Sequence, residues 1–364
     1  MNRAAILALS LAGIAPGQSA FTHQEIAGEL GVVYAVTTGD VNGDGKTDIV
    51  AISATQLMWF ENPSWVRHVV TEKVTEKDNV CVAPYDIDGD GKLDFALGAD
   101  WQATNTSGGG SLHWVSYGGK VTNLATEPTL HRIRWADIDG DGRAELIVVP
   151  LHGRGTKPPD WEGPQGSRIL VFHIPKSPAT GSWPMEVADE SLHIAHNFIT
   201  VDGEIWVASA EGVTALRRGA DGHWSKRKIA DGKPGEIKLG HVGGKRMLAT
   251  VEPWHANGIV LFEEQTPLWK RTQIETELSQ GHALGWGDFD GDGTDELAAG
   301  WRGKPWGLAV YKRGSDGHWA KTMVDDGVSV EDLAVADLNG DGRPDIIAGG
   351  RTTKNIRIYW NQAR

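Results

Sequence analysis

The sequence contains a single cysteine, Cys81, so it cannot form an internal disulfide, and any staple on its loops must be of another kind. It also lacks an apolar run long enough to span a bilayer, which takes about 20 residues. The apolar run from Ala4 to Ala15, with Arg3 before it and small residues up to Ala20 after it, instead predicts a secretory signal over residues 1–20. We therefore expect a secreted or periplasmic protein whose mature part is residues 21–364.

Basic residues are also scarce. The chain has 35 Lys and Arg against 48 Asp and Glu, which gives a formal net charge of −13. No basic patch stands out, so the sequence does not indicate a nucleic-acid partner. Much of the acidity is concentrated in five similar nine-residue loops, which indicates bound cations and does not require a basic partner.

Each of these loops reads Asp-x-(Asp/Asn)-Gly-Asp-Gly-x-x-(Asp/Glu). Side-chain oxygens at positions one, three, five and nine form the hard ligand shell that calcium prefers, and the glycines at positions four and six allow a tight turn. The expected ligands are Asp40, Asn42, Asp44 and Asp48; Asp86, Asp88, Asp90 and Asp94; Asp137, Asp139, Asp141 and Glu145; Asp288, Asp290, Asp292 and Glu296; and Asp337, Asn339, Asp341 and Asp345. An EF-hand would need a glutamate at position twelve, where these loops have strand residues such as Ala51 and Leu97. We therefore expect up to five structural Ca²⁺ ions.

The loops recur at a regular spacing. Each is followed by a short apolar run, and two shortened copies, at residues 204–208 and 246–250, fill the long gap between the third loop and the fourth. Seven units, each with the pattern of four short strands, predict an all-β, seven-bladed β-propeller over residues 21–364. Because the sequence ends after the third strand of a unit, we expect segment 21–26 to pair with the C-terminal blade and close the ring.

The repeated loops resemble those of the FG-GAP, or VCBS, repeat family. That resemblance implies the propeller fold and leaves the function open.

The face opposite the acidic loops carries the unusual residues. Aligning the inner strands gives a column that radial symmetry would gather around the central channel: Tyr34, Val80, His131, His193, Glu236, His282 and Glu331. Converging histidines, carboxylates and arginines suit acid/base chemistry or a second divalent metal.

The loops beside this column carry further candidates. Those for substrate binding are Trp101, Trp254, His255, Trp301 and Arg302, although core packing is an equal alternative for the tryptophans. Stretches within residues 130–137, 150–155, 191–198, 281–286 and 330–355 resemble the propeller of the aldos-2-ulose dehydratases, and this resemblance implies the dehydration of a keto-sugar.

An elimination needs a base, a cation that stabilises the enolate and an acid for the leaving group. The candidates are His152 or His193 as the base, Arg154 and Arg351 as the cations, and His131, His196, His282 and Glu331 as acid partners or metal ligands. We therefore expect a carbohydrate-active lyase or dehydratase with a carbohydrate or keto-sugar ligand in its central pocket. A non-catalytic glycan-binding or adhesion propeller is the alternative, although it would leave the histidines without a role. A scaffold for protein partners would be expected to expose an apolar patch, which the sequence does not indicate.

Overall fold

The structure is a computed structural model that describes residues 20–363. These residues form seven four-stranded antiparallel sheets arranged as the blades of a closed β-propeller, as predicted. Blades 1 to 3 comprise β2 (Val33–Gly39), β3 (Asp48–Ser53), β4 (Gln56–Glu61) and β5 (Val66–Glu72); β6 (Cys81–Tyr85), β7 (Asp94–Ala99), β8 (Ser111–Val115) and β9 (Val121–Thr126); and β10 (Leu130–Ala136), β11 (Glu145–Pro150), β12 (Ser167–Phe172) and β13 (Met185–Leu192).

Blades 4 to 7 repeat the same order, from the inner strand to the outer one. They comprise β14 (Asn197–Val201), β15 (Glu204–Ser209), β16 (Gly212–Arg218) and β17 (Trp224–Ala230); β18 (Ile237–Val242), β19 (Lys245–Glu252), β20 (Gly258–Glu263) and β21 (Lys270–Glu275); β22 (Gly281–Gly287), β23 (Glu296–Trp301), β24 (Gly307–Arg313) and β25 (Trp319–Asp325); and β26 (Val330–Ala336), β27 (Asp345–Gly350), β28 (Ile356–Asn361) and β1 (Phe21–Ala27). The predicted signal lies outside the described residues, apart from Ala20. No helix between residues 20 and 363 could cross a membrane.

The N-terminal strand closes the ring. Strand β1 pairs antiparallel with β28, with Phe21 opposite Asn361 and Gln24 opposite Ile358. The indole N–H of Trp360 also donates to the side chain of Gln24, at 3.0 Å. The closure predicted from the sequence is therefore confirmed: β28 is paired on both sides, and β1 takes the outer position of blade 7.

The core lies between the blades. Within the described residues, the buried apolar side chains form seven clusters, one at each contact between neighbouring blades. Between blades 1 and 2, for example, Val50 and Ile52 share a cluster with Phe95 and Leu97. Because a neighbouring blade covers each face, strands such as β3, β7 and β11 are buried at every position, whereas outer strands such as β5 are largely exposed. This burial on both faces explains why the second strand of a blade is a continuous apolar run.

The acidic loops join the inner strand of a blade to its second strand. In the first loop, the Asp40 carboxylate accepts the backbone N–H groups of Gly43 and Gly45, and both glycines have φ near +80°. The buried Asp48 carboxylate at position nine accepts the N–H of Val41 at 3.0 Å. A side chain with Cβ is strained at this φ, so the glycines at positions four and six are required by the turn.

Blades 4 and 5 replace the acidic loop with a two-residue turn. Asp202-Gly203 and Gly243-Gly244 both have positive φ at each residue. Two consecutive left-handed residues form the type I′ turn that matches the twist of a hairpin. These turns are too short for the nine-residue ligand pattern, which is why the repeat is hard to find in this part of the sequence.

Candidate active site

A ring of side chains surrounds one end of the central channel, where the inner strands begin. Tyr34, His131, His282 and Glu331 all lie at a register shift, where one residue of the inner strand has no partner on the second strand. A β-bulge of this kind leaves its extra residue free of the ladder and turns its side chain out of the strand's normal alternation. The same irregularity in four blades therefore directs four functional groups to one place.

In blade 4 this position belongs to His196 and not to His193, which the sequence alignment had assigned to it. Strand β14 starts at Asn197, opposite Ala208, and the N–H of His196 donates to the carbonyl of that same Ala208 at 3.0 Å. The shortened turn of blade 4 removed the landmark on which the alignment depended. In blade 5, Glu236 occupies the equivalent position, but its side chain pairs with Lys238 at 3.1 Å and accepts from Asn197 at 2.5 Å.

Four histidines converge at the centre of the ring. His131 Nε2 lies 3.4 Å from His196 Nε2, and His255 Nε2 contacts the same nitrogen of His196. The ring centroids of His255 and His282 are 4.5 Å apart. One nitrogen from each of His196, His255 and His282 falls within 4.8 Å of the other two. Three nitrogens at such separations are a suitable ligand set for one first-row transition metal ion.

Hydrogen bonds orient two of these rings. The Nδ1–H of His282 donates to the backbone carbonyl of Glu331, and that of His196 donates to the carbonyl of Gly235 at 3.2 Å. Both rings therefore present the lone pair of Nε2 to the centre, which is the arrangement of many metal-binding histidines. His255 differs, because its Nδ1 accepts an N–H from Arg302 at 3.0 Å. Binding a metal through Nε2 of His255 requires the proton on that nitrogen to leave.

An arginine–glutamate–arginine group lies beside the histidines. Arg302 Nη1 lies 2.9 and 3.0 Å from the two carboxylate oxygens of Glu331, and Arg351 Nη1 lies 2.7 Å from one of them. Glu331 is almost completely buried, whereas the Arg351 side chain is 39% exposed and reaches the rim. Glu331 therefore fixes the positions of the two guanidinium groups.

The four histidines are neutral at pH 7. Burial, together with the weaker effect of the positive charges of Arg302, Arg132 and Arg351, lowers the pKa of His255 to about 3. Burial is also the largest cause of the strongly lowered pKa values of His131, His196 and His282. Neutral imidazoles can accept a proton or bind a metal, and both functions need the free lone pair.

Together these groups line a cavity of about 220 Å³. Its other lining residues are Tyr34, Val80, Trp101, Ala103, Arg132 and Leu151, and the Trp101 ring stacks on His131 with centroids 4.6 Å apart. A second cavity of about 560 Å³ continues along the channel towards the acidic loops and shares Tyr34, Val80 and Arg132 with the first. The pocket therefore lies at the end of the channel opposite the acidic loops.

The structure brings most of the predicted site residues together and leaves others out. The pocket contains His131, His196, His282, Glu331, Arg351, Trp101, His255 and Arg302. Arg154 instead pairs with the buried Glu127, with Nη2 and Oε2 separated by 2.6 Å. His193 binds Glu211 at 2.8 Å and the carbonyl of Gly163 at 3.1 Å.

The remaining candidates are also outside the pocket lining. His152 is buried and stacks on Trp161 with centroids 3.9 Å apart. Trp301 belongs to a buried cluster between blades 5 and 6, and its N–H donates to the carbonyl of Pro305. Trp254 lies beneath the ammonium group of Lys233, at 5.7 Å. These residues lie next to pocket residues in the sequence, but the path of their loops turns them elsewhere.

Two polar pocket residues are absent from the predicted site: Tyr34, which belongs to the aligned column, and Arg132. The signal for Arg132 was its position directly after His131, since it is the first residue of β10 to resume pairing after the bulge. Burial raises the pKa of the Tyr34 phenol, and the nearby carboxylate of Asp78 raises it further. Tyr34 is therefore protonated at pH 7 and can act as a proton donor.

The acidic loops are the other candidate site. We name them loops 1, 2, 3, 6 and 7 after their blades. Side-chain oxygens lie within 4.8 Å of one another for Asp86, Asp88 and Asp90 in loop 2, for Asp137, Asp139 and Asp141 in loop 3, and for Asp288, Asp290 and Glu296 in loop 6. Loop 6 already contains a cation, because Lys312 Nζ contacts Asp290 and lies 2.7 Å from Asp292 and 3.0 Å from Glu296.

Comparison with known proteins agrees with this architecture. The FG-GAP-like repeat family model matches residues 40–97, 86–148 and 288–348, which contain all five acidic loops. No curated protein matches the sequence significantly. Among solved structures, a chain of the crystal structure described as BBS1N in complex with ARL6DN, soaked with mercury, matches with a TM-score of 0.59 and 12% identity, over 94% of this chain and 98% of that one. At that identity the likeness concerns the fold alone. The protein is therefore a seven-bladed β-propeller that contains FG-GAP-like repeats within residues 40–148 and 288–348.

Proposed function

We propose that the pocket is the active site of a carbohydrate lyase or dehydratase, which removes an alcohol or water from a small sugar by β-elimination. The observation that carries this proposal is the convergence of four neutral, buried histidines with an arginine–glutamate–arginine group in one cavity. Perturbed titratable groups that converge in a concave site are typical of acid/base catalysis. The resemblance of several blades to the aldos-2-ulose dehydratases supports a sugar as the substrate.

The reaction needs no oxidant or reductant. A base takes the proton from the carbon next to the substrate's carbonyl or carboxylate, and the electron pair of the broken C–H bond forms the new C=C bond. The C–O bond at the neighbouring carbon breaks, and its oxygen leaves with a proton from an acid. The products are an unsaturated sugar and water or an alcohol.

We assign the base to His131 and the acid to Tyr34. His131 is neutral, and its stacking on Trp101 fixes the plane of its ring. Tyr34 keeps its proton at pH 7 and lines the same cavity. A neutral imidazole, which can accept a proton, and a phenol, which can donate one, would divide the work of an elimination between them.

Arg302 and Arg351 are the groups that would stabilise the negative charge of the enolate. Both donate to Glu331, which keeps the guanidinium planes fixed before the substrate arrives. Donors that are already oriented need no reorganisation when charge develops on the substrate, so they favour the transition state. Glu331 is thus a positioning residue.

The pocket is also suited to a divalent transition metal held by His196, His255 and His282. Two of the three rings present a free Nε2 lone pair and donate Nδ1–H to a backbone carbonyl, which is the pattern expected of metal ligands. A bound metal would act as a Lewis acid on the substrate's carbonyl oxygen. His131, Tyr34 and the arginines keep the roles given above.

Structural calcium in the acidic loops and export of the protein belong to the same proposal. The convergence of carboxylate oxygens within 4.8 Å in loops 2 and 3 supports calcium binding. Calcium would replace the disulfides that a chain with one cysteine cannot form.

The test is direct. The purified protein is incubated with keto-sugars and with uronides, and near-ultraviolet absorbance reports the new conjugated double bond. We expect His131→Gln and Tyr34→Phe each to lower kcat at least 100-fold. The control is His113→Gln, because His113 is also buried and has a pKa lowered by burial but lies in β8, outside the pocket. Sugar binding without any absorbance change would support a glycan-binding propeller instead, and equal loss of activity in all three variants would contradict the assigned roles.

A further inference from the structure

We propose that the pocket selects a sugar that carries a carboxylate, of the uronate type, and that Arg132 together with Arg351 binds this carboxylate. The inference rests on the sugar-binding pocket proposed above and adds the chemical class of its ligand. It differs from the keto-sugar that the family resemblance implies.

The charged residues that line the pocket do not balance. They are three arginines, Arg132, Arg302 and Arg351, against one carboxylate, Glu331. Glu331 already accepts from Arg302 and Arg351. Arg132 contacts no carboxylate within 4.0 Å among residues 20–363, and its side chain reaches only the backbone carbonyl and the ring of its neighbour His131. Positive charge is therefore left over at a half-buried position in the cavity, where an anion would compensate it.

The charges around the pocket do not supply that anion. Further along the channel, Arg134 and Lys238 face Glu236 and Asp332, so two positive groups meet two carboxylates there. Asp332 also interacts electrostatically with Arg132, but the two do not form an ion pair within 4.0 Å. Asp78 lies beyond Tyr34 and acts on its phenol. With Asp78 included, the pocket region still carries one uncompensated positive charge. The surplus is thus confined to the cavity that contains the histidines.

A carboxylate also suits the elimination itself. In a uronate, the proton that leaves is on the carbon next to the carboxylate, and the leaving oxygen is on the carbon after that. Pairing the carboxylate with arginines lets it accept the electron pair of the broken C–H bond, and the pair then forms the C=C bond as the C–O bond breaks. The anion that the pocket lacks would therefore be the group that makes the substrate reactive.

The size of the pocket limits the ligand. Its volume of about 220 Å³ is below the ~300–1,000 Å³ of sites for drug-sized ligands. One sugar ring with its carboxylate suits this space better than an internal segment of a polysaccharide. The rim position of Arg351, with its side chain 39% exposed, leaves room for the leaving group to extend outwards.

The first experiment measures binding by calorimetry with a matched pair, D-glucuronate and its methyl ester, which differ in the charge of one group. We expect the acid to bind at least tenfold more tightly than the ester and to weaken as salt is added. Arg132→Gln should remove this preference, whereas Arg132→Lys, which keeps the charge, should retain most of it. Arg217→Gln is the control, because Arg217 pairs with Glu204 on the surface of blade 4. Tighter binding of the ester, or an unchanged preference in Arg132→Gln, would overturn the inference.

The second experiment separates this inference from the proposed function. Turnover is compared for a 4-linked uronide and for the neutral glycoside obtained by reducing its carboxylate, together with an uncharged keto-sugar. Turnover of the uronide supports both the inference and the proposed function. Turnover of the keto-sugar alone would keep the lyase or dehydratase and refute the carboxylate. Binding of D-glucuronate with no turnover of any sugar would support the carboxylate site and contradict the enzyme.

Discussion

Acid should destabilise this protein partly through one buried histidine outside the pocket. His152 is 6% exposed, stacks on Trp161, and its Nδ1 has no hydrogen-bond partner among the described residues. Burial lowers its pKa from 6.5 to about 4. The folded protein therefore keeps His152 neutral at pH values at which the unfolded chain protonates it, so the stability present above pH 6.5 is lost as the pH falls towards 4.

The magnitude follows from the two pKa values. At pH 5, His152 is almost fully protonated in the unfolded chain and almost fully neutral in the folded protein. The difference between 6.5 and 5 is about 1.5 pH units, and at ~1.36 kcal/mol per unit the free energy of unfolding falls by about 2 kcal/mol between pH 7.5 and pH 5. In a His152→Phe variant this contribution is absent, while the aromatic contact with Trp161 is kept.

The assay is urea unfolding followed by tryptophan fluorescence, at pH 7.5 and pH 5 and at constant calcium. The other titrating groups are common to both proteins and cancel in the comparison. We expect the wild-type protein to lose about 2 kcal/mol more than His152→Phe over this pH interval. Equal losses in the two proteins would show that His152 is protonated as easily in the folded state as in the unfolded chain, and would refute the reasoning.

Three further predictions concern the loops and the core. Removing calcium with a chelator should lower the melting temperature. Each loop that binds Ca²⁺ adds about 2.7 kcal/mol to the free energy of unfolding when free Ca²⁺ is at 100 times the dissociation constant. An unchanged melting temperature would contradict structural calcium. The Lys312 ammonium contacts Asp290, Asp292 and Glu296 of loop 6 and would compete with Ca²⁺ for these ligands. By equilibrium dialysis, the wild-type protein should therefore bind four Ca²⁺ ions and the Lys312→Met variant five. The same number in both proteins would refute competition by Lys312. Burial raises the pKa of the Cys81 thiol to about 12, so iodoacetamide at pH 8 should modify it only after unfolding, as mass spectrometry would show, and rapid labelling of the folded protein would contradict its burial.

The sequence by itself determined the architecture. The acidic loops, the apolar run after each of them and the spacing between units are local patterns, and local patterns are sufficient to define a repeat whose units pack only against their neighbours. The orphan segment at residues 21–26 then required a partner, and the pairing of β1 with β28 provides it. The same alignment located His131, His282 and Glu331, because their position relative to the acidic loop is the same in each blade.

Only the tertiary structure decided which side chains meet in the pocket. In blade 4 the two-residue turn removed the landmark, so His193 was aligned where the structure has His196. His152 and Arg132 show the same limit, because the direction of a side chain after a bulge or along a loop depends on contacts with distant parts of the chain. His152 turns away to Trp161, whereas Arg132 enters the pocket without a carboxylate partner among residues 20–363. Charge balance is likewise a property of the closed ring, since it depends on which of the arginines and carboxylates of different blades come within reach of one another.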